Sequence, residues 1–410
     1  VKIGMISQWY EPERGSAAHP TAIAEALHSR GHEVRVLTGF PSYPDGKVHS
    51  GYTMKGRMRE TRGGVELLRV PDVPSHDQNA IRRALTLTSF AASATTQVGW
   101  LRGSDVVLTY LTPATVGLAS WALKRVEGTP YVLYVQDLWP ETVTASGFIR
   151  NARVNGMVER GIHRAMRKLY RDAAGVVAIS PTMAATLADR GSRVCPISVP
   201  NWVDEDVFKP ADRNRPRHLP PDRTWIMYAG GIGDLQALDH AVRAVGMLVD
   251  RPDIGLAVVG EGVARRALEK LAQQVGVTER VLFLGSRPMD EMPELMAEAA
   301  AQLVSLRDLP LFRGTIPSKI QAAMACGSPI VCAVAGDAAA LVADAQCGPV
   351  VEPESSAALA EAFVRVADAS VEQQAEWRSA ARHAYVATLS AQAGSARLEE
   401  VLRSAARVGS

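Results

Sequence analysis

Short apolar runs alternate with stretches of helical amphipathic spacing along almost the whole 410-residue chain. VKIGMIS (1–7) predicts a strand, PTAIAEALHSRG (20–31) a helix and EVRVLTG (33–39) the next strand. VELLRV (65–70), SDVVLTYL (104–111), PYVLYVQD (130–137) and AGVVAIS (174–180) follow as strands. Helices are predicted around 114–126 and over about 152–171. PISVPNWVD (196–204) closes this run, and the polar, proline-rich KPADRNRPRHLPPDR (209–223) reads as a linker or surface loop.

The alternation then restarts. Strands are predicted at TWIMYAG (224–230), GLAVVG (255–260), RVLFLG (280–285), AQLVSL (301–306) and PIVCAV (329–334). Helices fall near 235–249, 263–275 and 290–300, from Ser318, and near 337–345. Repeated strand–helix units imply parallel sheets covered on both faces. The expected fold is therefore α/β, with two Rossmann-like domains facing across a cleft. The boundaries drawn are 1–205 for the first domain, joined by a C-terminal helix at about 385–410 that packs back on it, and 206–384 for the second. Ligands of open parallel sheets bind outside the carboxyl ends of the strands, so the strand-to-helix loops are where chemistry is expected.

Charge refines this picture. Residues 1–200 hold 24 Lys/Arg against 16 Asp/Glu, whereas the remainder holds 21 against 27. A basic first half and an acidic second half suggest domains with different partners. The net charge of +2 and the absence of a recognised binding module argue against nucleic acid. Cys195, Cys326, Cys332 and Cys347 form no C-x-x-C pair and complete no zinc spacing, so reduced thiols and no metal site are expected. The opening VKIGMISQWY reads as a strand entering a loop rather than a signal peptide, and 84–101 is too rich in Thr and Ser to span a membrane.

The candidate chemistry is anion binding. YAGGIGDLQALD (228–239) ends a strand and opens a helix, with Gly230, Gly231 and Gly233 allowing close backbone approach. It misses the dinucleotide fingerprint because Gln236 stands where the third glycine belongs. VVGEGVARR (258–266), carrying Gly260 and Glu261, is a second near miss; a plain tight turn is the alternative for either. DLPLFRGTIPSKIQAAMACGSP (308–329) places Arg313, then Ser318 and Lys319, at a helix start whose first amides lack intrahelical partners. Gly15 and Ser16 repeat the theme after the first strand. Gln136 and Asp137 end a buried-looking strand, and His76 lies in the loop VPSHDQN, where simple solvation is the alternative.

YAGGIGDLQALD, PNWVDEDVFKP (200–210), VVGEG, VLFLG and IPSKIQAAMACGSPIV resemble glycosyltransferase family 4, which has the two-Rossmann GT-B fold. RGHEV, GFPSYPDG, VPSHDQNAIRRA, VQDLWPETVTASG and the helix running into AGVVAISPTM resemble the bacterial branch that includes the fucosaminyltransferases of capsule and colanic acid assembly. The resemblance implies retaining, metal-independent transfer from a nucleoside-diphosphate sugar, UDP first, with GDP or TDP as alternatives, and no other cofactor. Lys319, Arg313, Asp137, Gln136 and His76 are then assigned to catalysis. Gly15, Ser16, Gly230, Gly231, Gln236, Gly260, Glu261, Arg287, Ser318, Gln321 and Asp337 are assigned to the donor. The family carries Glu-x7-Glu here, and this chain has Gly314 and Ala322 instead; Gln321 and Asp337 are the substitutes considered. Gly231 and Gln236 replace the family's Arg and Lys, and Gln136 replaces its His.

The resemblance places the acceptor on the first domain. Residues 150–171 carry seven Lys/Arg and one acid, with apolar residues at helical spacing. An apolar stripe in the core with solvated charges is one reading of this stretch; peripheral contact with a membrane, through it or through 82–101, is the other. The expected activity is cytoplasmic, or peripheral on the inner face of the plasma membrane, with a lipid-linked acceptor in surface polysaccharide assembly. The alternatives are a small soluble acceptor in natural-product assembly, a nucleotide-sugar epimerase, and a binding module that does not turn over.

Overall fold

The structure, a computed structural model, describes residues 1–13, 15–43, 45–74, 80–140, 152–211 and 218–409, with the side chains of 16, 80–84, 152–155, 408 and 409 excepted. It divides into two compact units, Val1–Pro200 with Gly394–Ser410, and Asn201–Ala393. In the first unit the strands are β1 (Lys2–Ile6), β2 (Glu33–Gly39), β3 (Met58–Arg62), β4 (Val65–Val70), β5 (Val106–Leu111), β6 (Tyr131–Val135), β7 (Gly175–Ala178) and β8 (Ile197–Ser198). They form one sheet in the order β3-β4-β2-β1-β5-β6-β7-β8, parallel except for β3. β1, β5 and β6 read as near-continuous apolar runs because helices cover both faces.

The hydrophobic pattern does not announce β3. Alternate residues of this strand are exposed, and it joins β4 antiparallel through Gly63 and Gly64, at φ 51° and 81°. A two-residue hairpin turn with both φ positive favours glycine, with Asn or Asp the other residues it accepts readily. The carboxyl-terminal helix Ala391–Gly409 sends Leu398, Leu402 and Ala405 into the first unit's core, each almost fully buried. Val401 lies where a Cβ on Gly175 would come within 2.8 Å of it, so this close approach of helix to β7 requires glycine. Glu399 fixes the same helix by an ion pair to Arg30 at 2.5 Å and a hydrogen bond with His32 at 3.1 Å.

In the second unit β9 (Thr224–Ala229), β10 (Ile254–Val259), β11 (Val281–Gly285), β12 (Ala301–Ser305) and β13 (Ile330–Ala333) form a parallel sheet in the order β11-β10-β9-β12-β13. Its core joins Ile226, Leu256, Val258 and Leu303 to the helices Leu238–Met247 and Ser356–Ala367. Both sheets reverse strand order once among their parallel strands, at β1/β5 and at β9/β12. Those two switch points are where the loops diverge and leave room for a ligand. The described parts of 209–223 contain neither helix nor strand.

Candidate functional site

The second unit gathers most of the expected residues at its switch point. β9 ends in Tyr228 and Ala229, and β12 leads through Leu306–Leu309 to the short helix Pro310–Arg313 and then to the helix Ser318–Ala325. Pro317 is extended and Ser318 is exposed; no side chain caps this helix start. Lys319 folds back onto β9. Its ammonium lies 3.9 Å from the centroid of the Tyr228 ring and 3.2 Å from where a Cβ on Gly230 would sit. Among the described residues it pairs with no carboxylate, and burial pushes its pKa down to about 7. Tyr228 is itself fixed, donating its hydroxyl to the Gly231 carbonyl at 2.6 Å.

The glycine loops chiefly serve one another. The Gly230 N–H donates to Val259 O at 2.9 Å and the Gly260 N–H to Gly285 O at 2.8 Å. A Cβ on Gly260 would stand 2.0 Å from the Gly230 carbonyl oxygen, so the two loops touch backbone to backbone. Gln236 caps the turn inside its own loop, its Oε1 accepting from the Gly233 N–H at 2.9 Å. Gly231 is exposed, with open space around its Cα. Glu261 pairs with Arg265 at 2.5 Å, and Arg287 is exposed in the loop after β11.

Arg313 is not a free cation. It is exposed and holds Asp308 through two bonds of 3.1 and 2.9 Å, so it reaches an anion only by leaving that carboxylate. Arg307, two residues past β12, ties this loop to Asp239 at 2.8 Å and Glu354 at 3.0 Å. Gly336, at φ 80°, lets the loop after β13 come against Arg313, because a Cβ there would lie 2.0 Å from the Arg313 carbonyl oxygen. Asp337 then opens the helix Asp337–Ala345. Gln321 and Ala322 are both buried, and Gly314 ends the short helix.

In the first unit Gly15, exposed and at φ 63°, begins the turn Gly15–Ala18, with Ser16 next in it and Ala17 buried, ahead of the helix His19–Ser29. Gln136 is buried and Asp137 half-buried just past β6. Thr112 donates to Asp137 Oδ2 at 2.9 Å, and burial pushes the Asp137 carboxyl up. Gly15, Thr112 and Asp137 thus follow β1, β5 and β6, around this unit's switch point. His76 lies outside the described residues. Sequence reasoning missed a buried carboxyl just past β4. Asp72 is 8% exposed, and burial pushes it up to about 6 despite a 3.4 Å hydrogen bond from Gln8. Arg69, fully buried, pairs with Glu60 at 2.5 Å. An arginine inside the apolar run VELLRV was the available signal for that pair.

Among the described residues no group of three His, Cys, Asp or Glu could hold a metal ion, and no helix is long and apolar enough to cross a membrane. Of the four cysteines, Cys195 is exposed and the other three are buried, without disulfides.

Two families match successive parts of the chain, the glycosyl transferase 4-like domain over residues 14–202 and the glycosyl transferases group 1 over residues 211–384. The chain belongs to the family-4 glycosyltransferases. This glycosyltransferase is 28% identical over 334 residues to the putative colanic acid biosynthesis glycosyl transferase WcaI of Escherichia coli, covering 78% of this chain and 80% of the relative. It is 30% identical over 196 residues to a GDP-mannose-dependent phosphatidylinositol monomannoside mannosyltransferase of Mycolicibacterium smegmatis, covering 46% of this chain and 51% of the relative. Its fold matches the sucrose-phosphate synthase of Thermosynechococcus elongatus with a TM-score of 0.71 at 19% identity over 98% of each chain. Anabaena Alr3699/HepE in complex with UDP matches with a TM-score of 0.69 at 17% identity, over 98% of this chain and all of the other. These likenesses confirm the two-domain α/β architecture of the GT-B type with a C-terminal helical extension.

Proposed function

We propose that this glycosyltransferase moves a sugar, with retention, from a UDP-sugar to a hydroxyl of a lipid-linked acceptor in surface polysaccharide assembly. The observation that carries the donor assignment is Lys319: a buried-stemmed ammonium with no counter-ion among the described residues, beside a helix start with no side-chain cap, at the β9/β12 switch point. Breaking the sugar–phosphate bond builds charge on the departing diphosphate, and donors aimed there before reaction stabilise that charge. Lys319 takes the place of the missing family cation. The amides of Ser318, Lys319 and Gly231 stand with it, and Arg313 joins on releasing Asp308. The acceptor oxygen bonds to the anomeric carbon as the diphosphate oxygen leaves with the bonding pair, and the leaving phosphate takes the hydroxyl proton. No protein base and no metal is required in this account.

UDP is the first choice because Alr3699/HepE, of the same fold, was solved with UDP and with UDP-glucose. The lipid acceptor is supported by the phosphatidylinositol substrate in the name of the mycobacterial relative. It is supported also by the helix Ala152–Asp172, which exposes Arg160, Arg164, Arg167, Lys168 and Arg171 together with Met157 at 63% exposure. Each such cation near an anionic bilayer contributes about 1 kcal/mol. The deciding experiment is calorimetry with UDP, GDP and TDP and their sugars, followed by incubation of the bound donor with and without acceptor lipid. Sugar conversion with donor alone would mean an epimerase, and binding that never turns over would mean a binding module.

A further inference from the structure

The two sides of the donor site follow strands that pair only briefly. β9 and β12 are in register at Ile226 with Ala301 and at Met227 with Gln302, and no further rung joins them. Past that point one strand leads to Gly230 and Gly231, and the other to Arg313, Ser318 and Lys319. Lys319 therefore meets Tyr228 and Gly230 across an opening that the strand ladder does not hold.

Arg307 bridges that opening. Its backbone N–H donates to Leu235 O at 2.9 Å, and its guanidinium donates to Asp234 O at 3.1 Å and to Asp239 Oδ1 at 2.8 Å, all in the segment after β9. The third guanidinium nitrogen donates to Glu354 Oε1 at 3.0 Å, just before the helix Ser356–Ala367, and Glu354 Oε2 accepts from the Asp308 N–H at 2.8 Å. Ser305 adds one more tie, its hydroxyl donating to Gln236 O at 2.7 Å. Three loops thus meet at one side chain. Among the described residues three non-glycine positions have positive φ, and two of them, Ala237 at 51° and Glu354 at 57°, flank this junction. Left-handed backbone outside glycine is costly and persists only where surrounding contacts over-determine it. Partly exposed ion pairs add little to stability, so the junction is better suited to placing its loops than to holding the unit folded.

We infer that Arg307 is a positioning residue of the donor site: it holds the glycine loop after β9 at the spacing from the Ser318 helix start at which Lys319 and the loop amides meet one diphosphate. The inference rests on the donor reading given above. A planar guanidinium reaches several partners in fixed directions and a lysine ammonium does not, so lysine is a poor substitute here. A misplacement of about 1 Å in such a site can cost about 100-fold.

UDP is titrated by calorimetry into the full-length wild type, Arg307→Ala, Arg307→Lys, Lys319→Ala and the variant carrying both alanines. Arg307→Ala should weaken UDP about tenfold or more, and Arg307→Lys nearly as much, with melting temperatures close to that of the wild type. A residue that acts through Lys319 loses most of its effect once Lys319 is gone. In the Lys319→Ala background, Arg307→Ala should therefore weaken UDP by no more than about threefold, whereas a merely structural effect would multiply in full. Glu354→Gln keeps the side-chain shape and removes the charge; it should weaken UDP in the same non-additive way, and it tests the junction should Arg307→Ala fail to fold. Wild-type affinity in Arg307→Ala and Glu354→Gln, or full multiplication in the double variant, overturns the proposal while the donor site stands. Wild-type affinity in Lys319→Ala removes the donor site itself, and this proposal with it.

Discussion

The Lys319 ammonium stands 3.9 Å from the centroid of the Tyr228 ring, with no carboxylate to neutralise it among the described residues. A cation over an aromatic face is partly stabilised there but keeps its hydrogen-bonding capacity for a ligand. Ninety-one positions separate the two residues in sequence, so only the sheet order, which sets β9 beside β12, brings them together.

Replacing Lys319 by Ala should weaken UDP-sugar binding by about 10- to 100-fold, the range of one lost charge-assisted hydrogen bond. Transfer should slow with it. Calorimetry and steady-state rates check this, and wild-type values for both would remove the anion site.

Donor affinity should also fall as pH rises. The free ammonium titrates near 7, lowered by burial, and only its charged form holds a diphosphate. Well above pH 7, binding must take up a proton and the affinity drops by about tenfold per pH unit. Stability responds in the opposite direction. Between pH 7 and the ordinary lysine range the unfolded chain holds the extra proton, so this residue's contribution to stability rises with pH. Calorimetry in buffers of different ionisation enthalpy should show proton uptake in the wild type and less in Lys319→Ala.

Two glycines of the second unit should respond oppositely to the same change. Gly260→Ala drives a methyl into the Gly230 carbonyl and should destabilise the unit by several degrees of melting temperature, whereas Gly231→Ala meets open space and should leave it unchanged.

Gly15→Val puts a β-branched residue at φ 63°, where nothing within 4 Å would clash but the backbone itself is strained by about 1–2 kcal/mol. Turnover should fall sharply with a small loss of stability. A collapsed fold would show that the turn is only structural.

Glu399 should make the C-terminal helix acid-sensitive. Desolvation opposes ionisation, but hydrogen bonds from Arg30, Arg403 and His32 outweigh it and hold the carboxyl down to about 2. Its stabilisation is complete above the ordinary glutamate range and disappears as pH falls toward 2. Glu399→Gln should remove that part of the acid transition, read by hydrogen exchange at Leu398 and Leu402.

The strand runs, the two-domain plan and the helix start at Ser318 were legible because their signals are local. Period-two and period-3.6 hydrophobicity and helix-end chemistry are properties of neighbouring residues. The edge strand Met58–Arg62 was not legible, since half its residues face water and only pairing with β4 holds it extended. Two glycines that read as phosphate loops in sequence spend their amides on neighbouring strand ends, Gly230 on Val259 and Gly260 on Gly285, because those contacts exist only when β9, β10 and β11 are paired. Arg313, assigned to catalysis from the sequence, is held by Asp308. Local sequence set most of the elements, the edge strand excepted, and where cations and flexible turns are available. Tertiary structure alone decided which of those groups remain unsatisfied, because desolvation and partner choice depend on contacts between residues far apart in the chain.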